Sequence, residues 1–290
     1  MIDRTPAMPP TEDPDTPESD DAATATGTAG SADRFASTEP YYARYRPRYG
    51  DDPITYLVDR FDVDRTSRVL DLGCGAGQIA IPMAAHAGTV VGMDPNEAML
   101  REARAQADAA GQANVEWVQG ADGDLPGDIE QDSLRLTTMG RSFHWMDQPR
   151  TLDHLRDLLE PGGGVALLTD GEWLTHGTED HWQAGVHALA AEYLDDIPER
   201  TGPVAEYDDP WDELLEAHGF TDVETVTFPY EREWDPDSVV GYVFSLSFCS
   251  PARFGDDRDA FETALRAYLR DHEAETFVQH GAVEVISGRR

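Results

Sequence analysis

The sequence contains no lysine, so all 22 basic residues are arginine, against 57 aspartates and glutamates. The formal net charge of −35 repels polyphosphate backbones and anionic headgroups, which excludes nucleic acid and lipid membranes as default partners. At molar salt the Debye length falls to about 3 Å and this self-repulsion is screened. The composition therefore predicts a cytoplasmic protein of an extreme halophile. An acidic protein from a GC-rich genome is the alternative, which explains the arginines but not the aspartate content.

Cysteine is scarce as well, because Cys74 and Cys249 are the only two and lie far apart in the chain. There is no C-x-x-C pair and no paired histidine spacing, so we expect neither a disulfide framework nor a bound metal. No run of about 18 apolar residues occurs, and Met1–Pro17 lacks the apolar region of a signal peptide. We therefore expect a protein that is neither secreted by that route nor membrane-spanning.

Large apolar side chains are few in residues 1–37, and we predict a disordered acidic tail there. Beyond it, short apolar runs alternate with amphipathic segments, which predicts a doubly wound parallel sheet. The predicted strands are Arg68–Leu72, Thr89–Met93, Val115–Val118, Leu134–Met139 and Gly164–Leu168. After Asp170 the pattern predicts helices over His181–Tyr193, Trp211–His218 and Asp259–Asp271, and strands over Val223–Phe228 and Ala282–Ser287.

The first predicted strand ends in a glycine-rich loop, because residues 69–78 read VLDLGCGAGQ. Glycines at alternate positions, Gly73, Gly75 and Gly77, let the backbone turn sharply and approach a ligand closely, and a helix is predicted from Gln78. A dinucleotide fingerprint, G-x-G-x-x-G, requires glycine at position 78. The sequence therefore argues against NAD or FAD. A tight turn without a ligand is the alternative interpretation of these glycines.

The second predicted strand ends at Asp94, 17 residues after Gly77. An acidic side chain at this edge accepts hydrogen bonds from both hydroxyls of a ribose. Loop, helix and acid in this order indicate a nucleoside-binding site. The alternative for Asp94 is a helix N-cap, and one carboxylate can do both.

Five motifs in register resemble the class I S-adenosylmethionine-dependent methyltransferases, and within them the type-11 group of small-molecule enzymes. They are DLGCGAG at Asp71–Gly77, VVGMDP ending in Asp94 and Pro95, GADGDLP at Gly120–Pro126, SFHWMD at Ser142–Asp147 and LLEPGG at Leu158–Gly163. The resemblance covers about Tyr41–Asp170 well and the remainder loosely. It implies an α/β fold with a Rossmann-like, doubly wound, mostly parallel seven-stranded sheet, helices on both faces and a small helical and aromatic cap.

The resemblance also implies which residues bind S-adenosyl-L-methionine. They are Tyr42, Tyr45, Arg46, Asp71, Gly73, Cys74, Gly75, Asp94, Pro95, Met99, Ala121, Asp122 and Gly140. Asp71 and the glycine-loop backbone would hold the methionine moiety, Asp94 the ribose, and Pro95 with Met99 the adenine faces, although Met99 can equally be core. Many relatives carry Asp or Ser where Ala121 stands. Since Ala121 cannot accept a hydrogen bond from adenine, Asp122 or a backbone carbonyl must do so.

The segment Tyr41–Tyr49 resembles the amino-terminal lid of this group, whose aromatic side chains close over the methionine end of the cofactor. A surface amphipathic helix packed on the sheet edge is the alternative. With the lid included, residues 38–170 are expected to form the cofactor-binding core. Residues 171–290 are expected to supply the substrate cap and the last strands.

Methyl transfer from a sulfonium is an in-line displacement that needs alignment and desolvation, with a general base only when the acceptor must lose a proton. His144 follows the fourth strand at the carboxyl edge of the sheet, so it is our candidate catalytic base or acceptor-positioning residue. A packed aromatic pair with Trp145 is the alternative. Arg141 could pair with an anionic acceptor or the cofactor carboxylate, but an exposed arginine on so acidic a chain is more often a solvated ion pair.

Two aromatic segments outside the core, Trp173–Trp182 and Trp234–Cys249, are expected to cover a small, partly apolar or aromatic acceptor, or else to be the cap's own core. No N-P-P-[YFW] stretch follows the fourth strand, which argues against methylation of bases or glutamine amides. The leading hypothesis is therefore a methyltransferase for a small molecule. The alternatives are a non-catalytic S-adenosylmethionine-binding regulator and, less favoured, an NAD-dependent oxidoreductase.

Overall fold

The computed structural model describes residues 37–170, 182–195, 197, 210–272 and 277–290. The predicted acidic tail up to residue 36 and residues 173–181 of the first aromatic segment lie outside the described residues.

A single seven-stranded sheet organises these residues, in the order β3-β2-β1-β4-β5-β7-β6. The strands are β1 Arg68–Leu72, β2 Thr89–Asp94, β3 Val115–Gln119, β4 Leu134–Gly140, β5 Leu159–Asp170, β6 Thr221–Trp234 and β7 Phe277–Arg289. Strands β1 to β5 pair in parallel, and β7 runs antiparallel to both β5 and β6. The predicted mostly parallel, doubly wound sheet is confirmed.

Helices flank the sheet and connect its strands. They are α1 Glu39–Tyr45, α2 Asp51–Arg60, α3 Ala80–Ala84, α4 Glu97–Ala109, α5 Gln148–Leu158, α6 Trp182–Ala191, α7 Trp211–Ala217, α8 Pro236–Phe244, α9 Pro251–Phe254 and α10 Arg258–Asp271. Short 3-10 turns lie at Asp122–Asp124, Phe143–Trp145, Ser247–Cys249 and Gly255–Asp257.

The central parallel strands are mostly apolar on both sides, since helices cover both faces. Leu70 of β1 belongs to a buried cluster with Leu155 of α5, whereas its neighbour Val69 joins a second cluster with Leu57 of α2 and Met83 of α3. Successive residues of a strand point to opposite faces, so these clusters are the cores on the two sides of the sheet.

Helices α6, α8 and α10 enclose a third apolar core, here called the cap core. The aromatic and sulfur side chains of the second predicted cap segment fill it: Trp234, Tyr242, Phe244 and Cys249 are buried and Phe248 is half-buried against them. Helix α1 packs on α8 and α4, so it joins this cap to the sheet. These aromatic residues therefore form the cap's own core, the second of the two interpretations of the sequence.

Several predicted boundaries are wrong. The glycine-loop helix begins at Ala80 instead of Gln78, because Gly77 still has a φ of 85°. Strands β6 and β7 extend far beyond the predicted runs, since they pair from Thr221 with Arg289 to Trp234 with Phe277 and leave one side of β6 in solvent. Main-chain pairing there does not require alternating apolar side chains throughout.

Two absences hold for the residues that the structure describes. None of their helices is both long enough and apolar enough to cross a membrane. They also bring together no group of three or more His, Cys, Asp or Glu side chains suited to holding a metal ion.

Candidate functional site

The glycine loop after β1 curls over the end of β2. Gly73, Gly75 and Gly77 have φ angles of 72°, 54° and 85°, a left-handed conformation that favours glycine. The backbone N–H groups of Gly73 and Cys74 both donate to the Met93 carbonyl, at 2.8 and 3.0 Å. A Cβ on Gly73 would lie 2.4 Å from Ser142 Cβ, so only glycine lets the loop pass this close to the segment after β4.

Asp71 lies at the base of this loop and is only 1% exposed. Its Oδ2 accepts a hydrogen bond from the Ala80 N–H at 2.9 Å, and its Oδ1 accepts one from the Thr138 hydroxyl at 2.9 Å. Burial raises the pKa of Asp71 to about 7, with a further contribution from the Asp94 charge, and the two hydrogen bonds oppose the rise. The carboxyl group therefore changes charge near neutral pH.

Asp94 ties the end of β2 to the glycine loop. Its Oδ2 accepts a hydrogen bond from the Gly75 N–H at 2.8 Å, and its Oδ1 accepts one from the Asn96 N–H at 2.9 Å. Burial raises the pKa of Asp94, and these two hydrogen bonds lower it. Helix α4 is capped by Asn96, whose side chain accepts from Ala98 and Met99, so the N-cap interpretation of Asp94 is wrong. Each carboxylate oxygen has one further lone pair for a ligand hydroxyl.

Two of the predicted adenine-contacting residues sit beside the start of α4. Met99 is 3% exposed and lies on the buried face of α4, as the core interpretation predicts. Pro95 is half-buried, and its carbonyl accepts a hydrogen bond from the Gln119 side chain at 3.2 Å. Their contact with adenine stays a prediction.

Asp122 fastens the start of α5. Its Oδ2 accepts a hydrogen bond from the Asp147 N–H at 3.0 Å and one from the Thr151 hydroxyl at 3.5 Å. Ala121 is half-buried beside it, and its N–H donates to Asp124 at 2.8 Å. Asp122 is therefore a buried anchor of the helix, and its role at the adenine edge stays a prediction.

Helix α1 and the turn after it cover the loop. The Tyr42 ring is what a Cβ on Gly75 would meet first, at 3.4 Å, so Tyr42 faces the glycine loop. Tyr45 points elsewhere, because its ring lies against Gly241 of α8. The Arg46 guanidinium stands 5.3 Å from the centre of the Tyr42 ring and 5.2 Å from that of Tyr242. Its Nε and Nη1 are buried without a hydrogen-bond partner.

Arg141 is buried, so its interpretation as a solvated ion pair is wrong. Its side chain is 8% exposed and its Nη1 lies 3.0 Å from the Asp170 carboxylate. Its Nε donates to the Tyr49 hydroxyl at 2.9 Å, and its Nη2 donates to the Pro47 carbonyl at 3.2 Å. All three nitrogens are occupied within the protein. Arg141 therefore fastens the turn after α1 to the ends of β4 and β5.

His144 lies in the turn after β4, with its ring 4.7 Å from that of Trp145, so the predicted aromatic pair is present. Its Nδ1 is buried and has no hydrogen-bond partner. Burial, followed by the charges of Arg141 and Arg46, lowers the pKa of His144 to about 4. The imidazole is therefore neutral at neutral pH, and its Nδ1 is left for a hydrogen bond to a ligand.

A small cavity, partly open to solvent, lies between the lid and the loop. Its walls are Tyr42, Tyr49, Asp71, Gly73, Cys74, Gln78, Ile79 and Gly140. Five of these are predicted cofactor-binding residues, so the structure brings them together. Cys74 is buried among them, and burial raises the pKa of its thiol. A Cβ on Gly140 would lie 2.7 Å from the Tyr49 hydroxyl, so glycine keeps this wall open.

Sequence reasoning missed three contributors to the site, namely Tyr49, Ser142 and Asp170. Asp170 carried a usable signal, since it ends a parallel strand at the same sheet edge as Asp94. Tyr49 belonged to the predicted lid but was not singled out. Ser142, whose hydroxyl donates to the Leu72 carbonyl at 2.7 Å, gave no signal that residue type alone could reveal.

The sheet order and the glycine loop at the carboxyl ends of β1 and β2 define a Rossmann-like α/β protein whose candidate ligand site lies at that edge. Residues 69–163 match a family model described as a methyltransferase domain. An uncharacterised methyltransferase-like protein of Schizosaccharomyces pombe is 26% identical over 208 residues, which cover 71% of this chain and 75% of the relative. Over these residues the chain is similar to methyltransferases, in agreement with the resemblance of its motifs to the class I enzymes, and the narrower type-11 assignment stays a prediction.

Two solved structures share the fold. One, from Anaeromyxobacter dehalogenans and named a "Putative Type II Methyltransferase", has a TM-score of 0.58 at 24% identity, over 84% of this chain and 98% of that one. The other is a Haemonchus contortus phosphoethanolamine N-methyltransferase in complex with phosphomonomethylethanolamine and S-adenosylhomocysteine. Its TM-score is 0.50 at 17% identity, over 88% of this chain and 56% of that one. At these identities the likeness establishes the fold.

Proposed function

We propose that this protein binds S-adenosyl-L-methionine and transfers its methyl group to a small-molecule acceptor by in-line displacement. The observation that carries the proposal is the contact between Asp94 and Gly75, which holds an acid at the tip of β2 against the glycine loop. That arrangement serves a ribose beside a closely approaching backbone. The methyltransferase match over residues 69–163 favours this ligand over a nicotinamide cofactor.

The residues present fit the charges of S-adenosylmethionine, which carries an ammonium, a carboxylate and a sulfonium. Asp71 provides a buried carboxyl for the ammonium, and the unpartnered nitrogens of Arg46 provide donors for the carboxylate. Asp94 keeps lone pairs for the ribose hydroxyls. Asp71 and Asp94 also leave the site negative, which suits a cofactor with a cationic sulfur.

The bound cofactor would supply an electrophilic methyl group. The chain's own task is then to orient the two reactants and to exclude water, and alignment alone can supply much of the barrier reduction. Tyr42 and Tyr49 close the cavity from the lid side. His144, neutral and with a free Nδ1, would accept a proton from an acceptor hydroxyl or amine, or orient that group by a hydrogen bond.

Calorimetric titration with S-adenosylhomocysteine at molar potassium chloride tests the cofactor assignment. We expect the wild type to bind and Asp94→Asn to lose about ten- to a hundredfold in affinity, because hydrogen bonds to a charged group are lost. Asp64→Asn is the matched control, since Asp64 is an exposed aspartate with backbone contacts of its own. Folded wild-type protein that fails to bind would contradict the proposal.

Turnover separates an enzyme from a non-catalytic cofactor-binding protein. With an accepted substrate, we expect His144→Gln to lower kcat by about a hundredfold or more if the imidazole moves a proton, with unchanged affinity for S-adenosylhomocysteine. Trp145→Phe, which keeps an aromatic ring beside position 144, is the control for packing. Equal kcat values in His144→Gln and the wild type would remove His144 from the chemistry.

A further inference from the structure

We propose that the methyl acceptor carries an anionic group, a carboxylate or a phosphate, and that Arg232 binds it. This inference rests on the proposed function, because it assigns the substrate class of the same site. It begins with an arginine near the carboxyl end of β6 whose charge the described part of the chain does not neutralise.

Arg232 is half-buried between two aromatic rings. Its guanidinium carbon lies 4.6 Å from the centre of the Tyr230 ring and 5.5 Å from that of Trp234. Its Nη2 donates to the Arg48 carbonyl at 3.4 Å, while its Nη1 is buried without a partner. Burial lowers the pKa of Arg232 despite nearby tyrosines and Asp170. The guanidinium is thus held in a fixed place with a donor left over.

Arg232 has no counter-ion among the described residues, which is unusual for a chain with 57 acidic residues. Among the described residues, Arg141 at the same edge of the sheet is paired with Asp170, whereas Arg46 on the lid keeps two nitrogens without a hydrogen-bond partner. No described carboxylate lies within ion-pair distance of Arg232, and the neighbouring acids Glu231 and Glu233 are exposed. Removing even part of a cation from water without a partner costs free energy, and an anion that arrives as a ligand would offset this cost.

Strand alternation places Arg232 on the side of the lid. Tyr230, Arg232 and Trp234 occupy alternate positions on β6 and are all at least half-buried, whereas the residues between them are exposed. Gly281 of the neighbouring β7 leaves room for the Tyr230 ring, because a Cβ there would lie 2.5 Å from it. Arg232 consequently reaches inward to the turn after α1.

A short chain of aromatic contacts connects Arg232 to the lid arginine. Trp234, which borders Arg232, packs edge-on against Tyr242 with 5.1 Å between the ring centres. The Arg46 guanidinium lies over the same Tyr242 ring. Arg46 also touches Tyr42, which faces the glycine loop. The two arginines therefore serve one region from two sides.

The positions of the two arginines assign them to different ligands. Arg46 sits on the lid beside the glycine loop and is assigned to the cofactor carboxylate. Arg232 sits on the cap side, beyond Tyr242, and is assigned to the acceptor. The rings of Tyr230 and Trp234 flank it, so the acceptor's anionic group would enter between aromatic surfaces. An anionic head on a small apolar or aromatic body fits both features.

Binding of simple anions to the protein saturated with S-adenosylhomocysteine tests the assignment. The probes are succinate, benzoate and inorganic phosphate, each at molar potassium chloride, with succinamide and benzamide as neutral analogues of the carboxylates. We expect at least one anion to bind and its neutral analogue to bind at least about tenfold more weakly, with Arg232→Gln losing at least about tenfold in affinity for that anion. The carboxylates and phosphate distinguish the two possible head groups.

Affinity for S-adenosylhomocysteine distinguishes a failure of the Arg232 assignment from a failure of the proposed function. Arg232→Gln should leave it unchanged, whereas Arg46→Gln should lower it, and Arg232→Lys should recover part of the anion binding. Arg258→Gln, which removes an arginine that pairs with Asp259, is the control for lost surface charge. Two results would overturn the Arg232 assignment alone. One is a wild type that binds S-adenosylhomocysteine but none of the anions. The other is an Arg232→Gln variant with unaltered thermal stability and full anion affinity. Absence of S-adenosylhomocysteine binding overturns the proposed function instead.

Discussion

The Arg141 guanidinium lies 3.0 Å from the Asp170 carboxylate, and the two side chains are only 8% and 14% exposed. The pair joins the ends of β4 and β5 at the sheet edge that carries the glycine loop. Through Tyr49 and the Pro47 carbonyl, Arg141 also holds the turn that follows α1. This buried ion pair therefore helps to hold the turn of the lid in place.

Breaking this pair should destabilise the protein strongly. Asp170→Asn leaves the buried Arg141 charge without its counter-ion, and we expect a loss of about 3 to 5 kcal/mol in the free energy of unfolding. Denaturant titration at constant molar salt measures the change. In the exposed pair Arg258–Asp259, Asp259→Asn should cost less than about 1 kcal/mol. Equal costs in the two variants would show that burial does not set the strength of the Arg141–Asp170 pair.

Two glycines with similar φ angles allow the effect of backbone strain to be separated from that of steric fit. Gly73 and Gly111 have φ angles of 72° and 70°, so alanine at either position pays a similar left-handed penalty of about 1 to 2 kcal/mol. An added Cβ meets nothing within 4 Å at Gly111 but lies 2.4 Å from Ser142 Cβ at Gly73. We expect Gly73→Ala to lose more stability and to weaken S-adenosylhomocysteine binding, while Gly111→Ala keeps full affinity. Thermal unfolding measures the stability of both variants, and calorimetry measures their affinity. Normal binding of S-adenosylhomocysteine by Gly73→Ala would contradict this prediction.

The parallel part of the sheet was predictable because its central strands are mostly apolar on both sides and its turns carry glycine. Strand β1 matches its predicted bounds, Arg68–Leu72, because Val69, Leu70 and Leu72 are buried on the two faces of the sheet. The length of β6 was not predictable, because its outward residues are charged and its pairing with β7 depends on the main chain. Apolar side chains therefore predicted the centres of β6 and β7 but not their full length.

The site was predictable where residue type and strand position coincide, as at Asp71 and Asp94. Arg141 shows the limit, because the same arginine could be exposed or buried and only the position of Asp170 decides it. Arg232 shows the limit more clearly, since it lies among alternating charged residues of an edge strand. Tertiary packing, which brings β6 under the lid, gives that residue its unpaired donor.

The affinity for the cofactor product should depend on pH through Asp71. Its pKa of about 7 lies above the ordinary value of 3.8 because the carboxyl is buried, so it gains a proton and loses its charge as the pH falls through about 7. If Asp71 holds the ligand ammonium, affinity for S-adenosylhomocysteine should rise between about pH 6 and about pH 8, by roughly tenfold. His144 titrates near 4, outside this window.

Calorimetry across that pH range checks the dependence on Asp71. Asp71→Asn should bind more weakly and lose the pH dependence, whereas Asp64→Asn should keep the wild-type profile. The sign for folding is the opposite one. A carboxyl whose pKa is raised in the native state stabilises it most at low pH, and that contribution is lost as the pH rises through about 7. A wild-type affinity that falls with rising pH would rule out the proposed contact with the ammonium.

The net charge of −35 should make the fold dependent on salt. In dilute buffer the acidic side chains repel one another over about 10 Å at 0.1 M salt, and at molar salt that distance shrinks to about 3 Å. We expect the melting temperature and the affinity for S-adenosylhomocysteine to rise between low and molar potassium chloride. Sorbitol at the same osmolality is the control, because it changes water activity without screening charge. A melting temperature that does not rise with potassium chloride, or that rises equally with sorbitol, would favour an ordinary acidic protein of a GC-rich genome over a halophilic one.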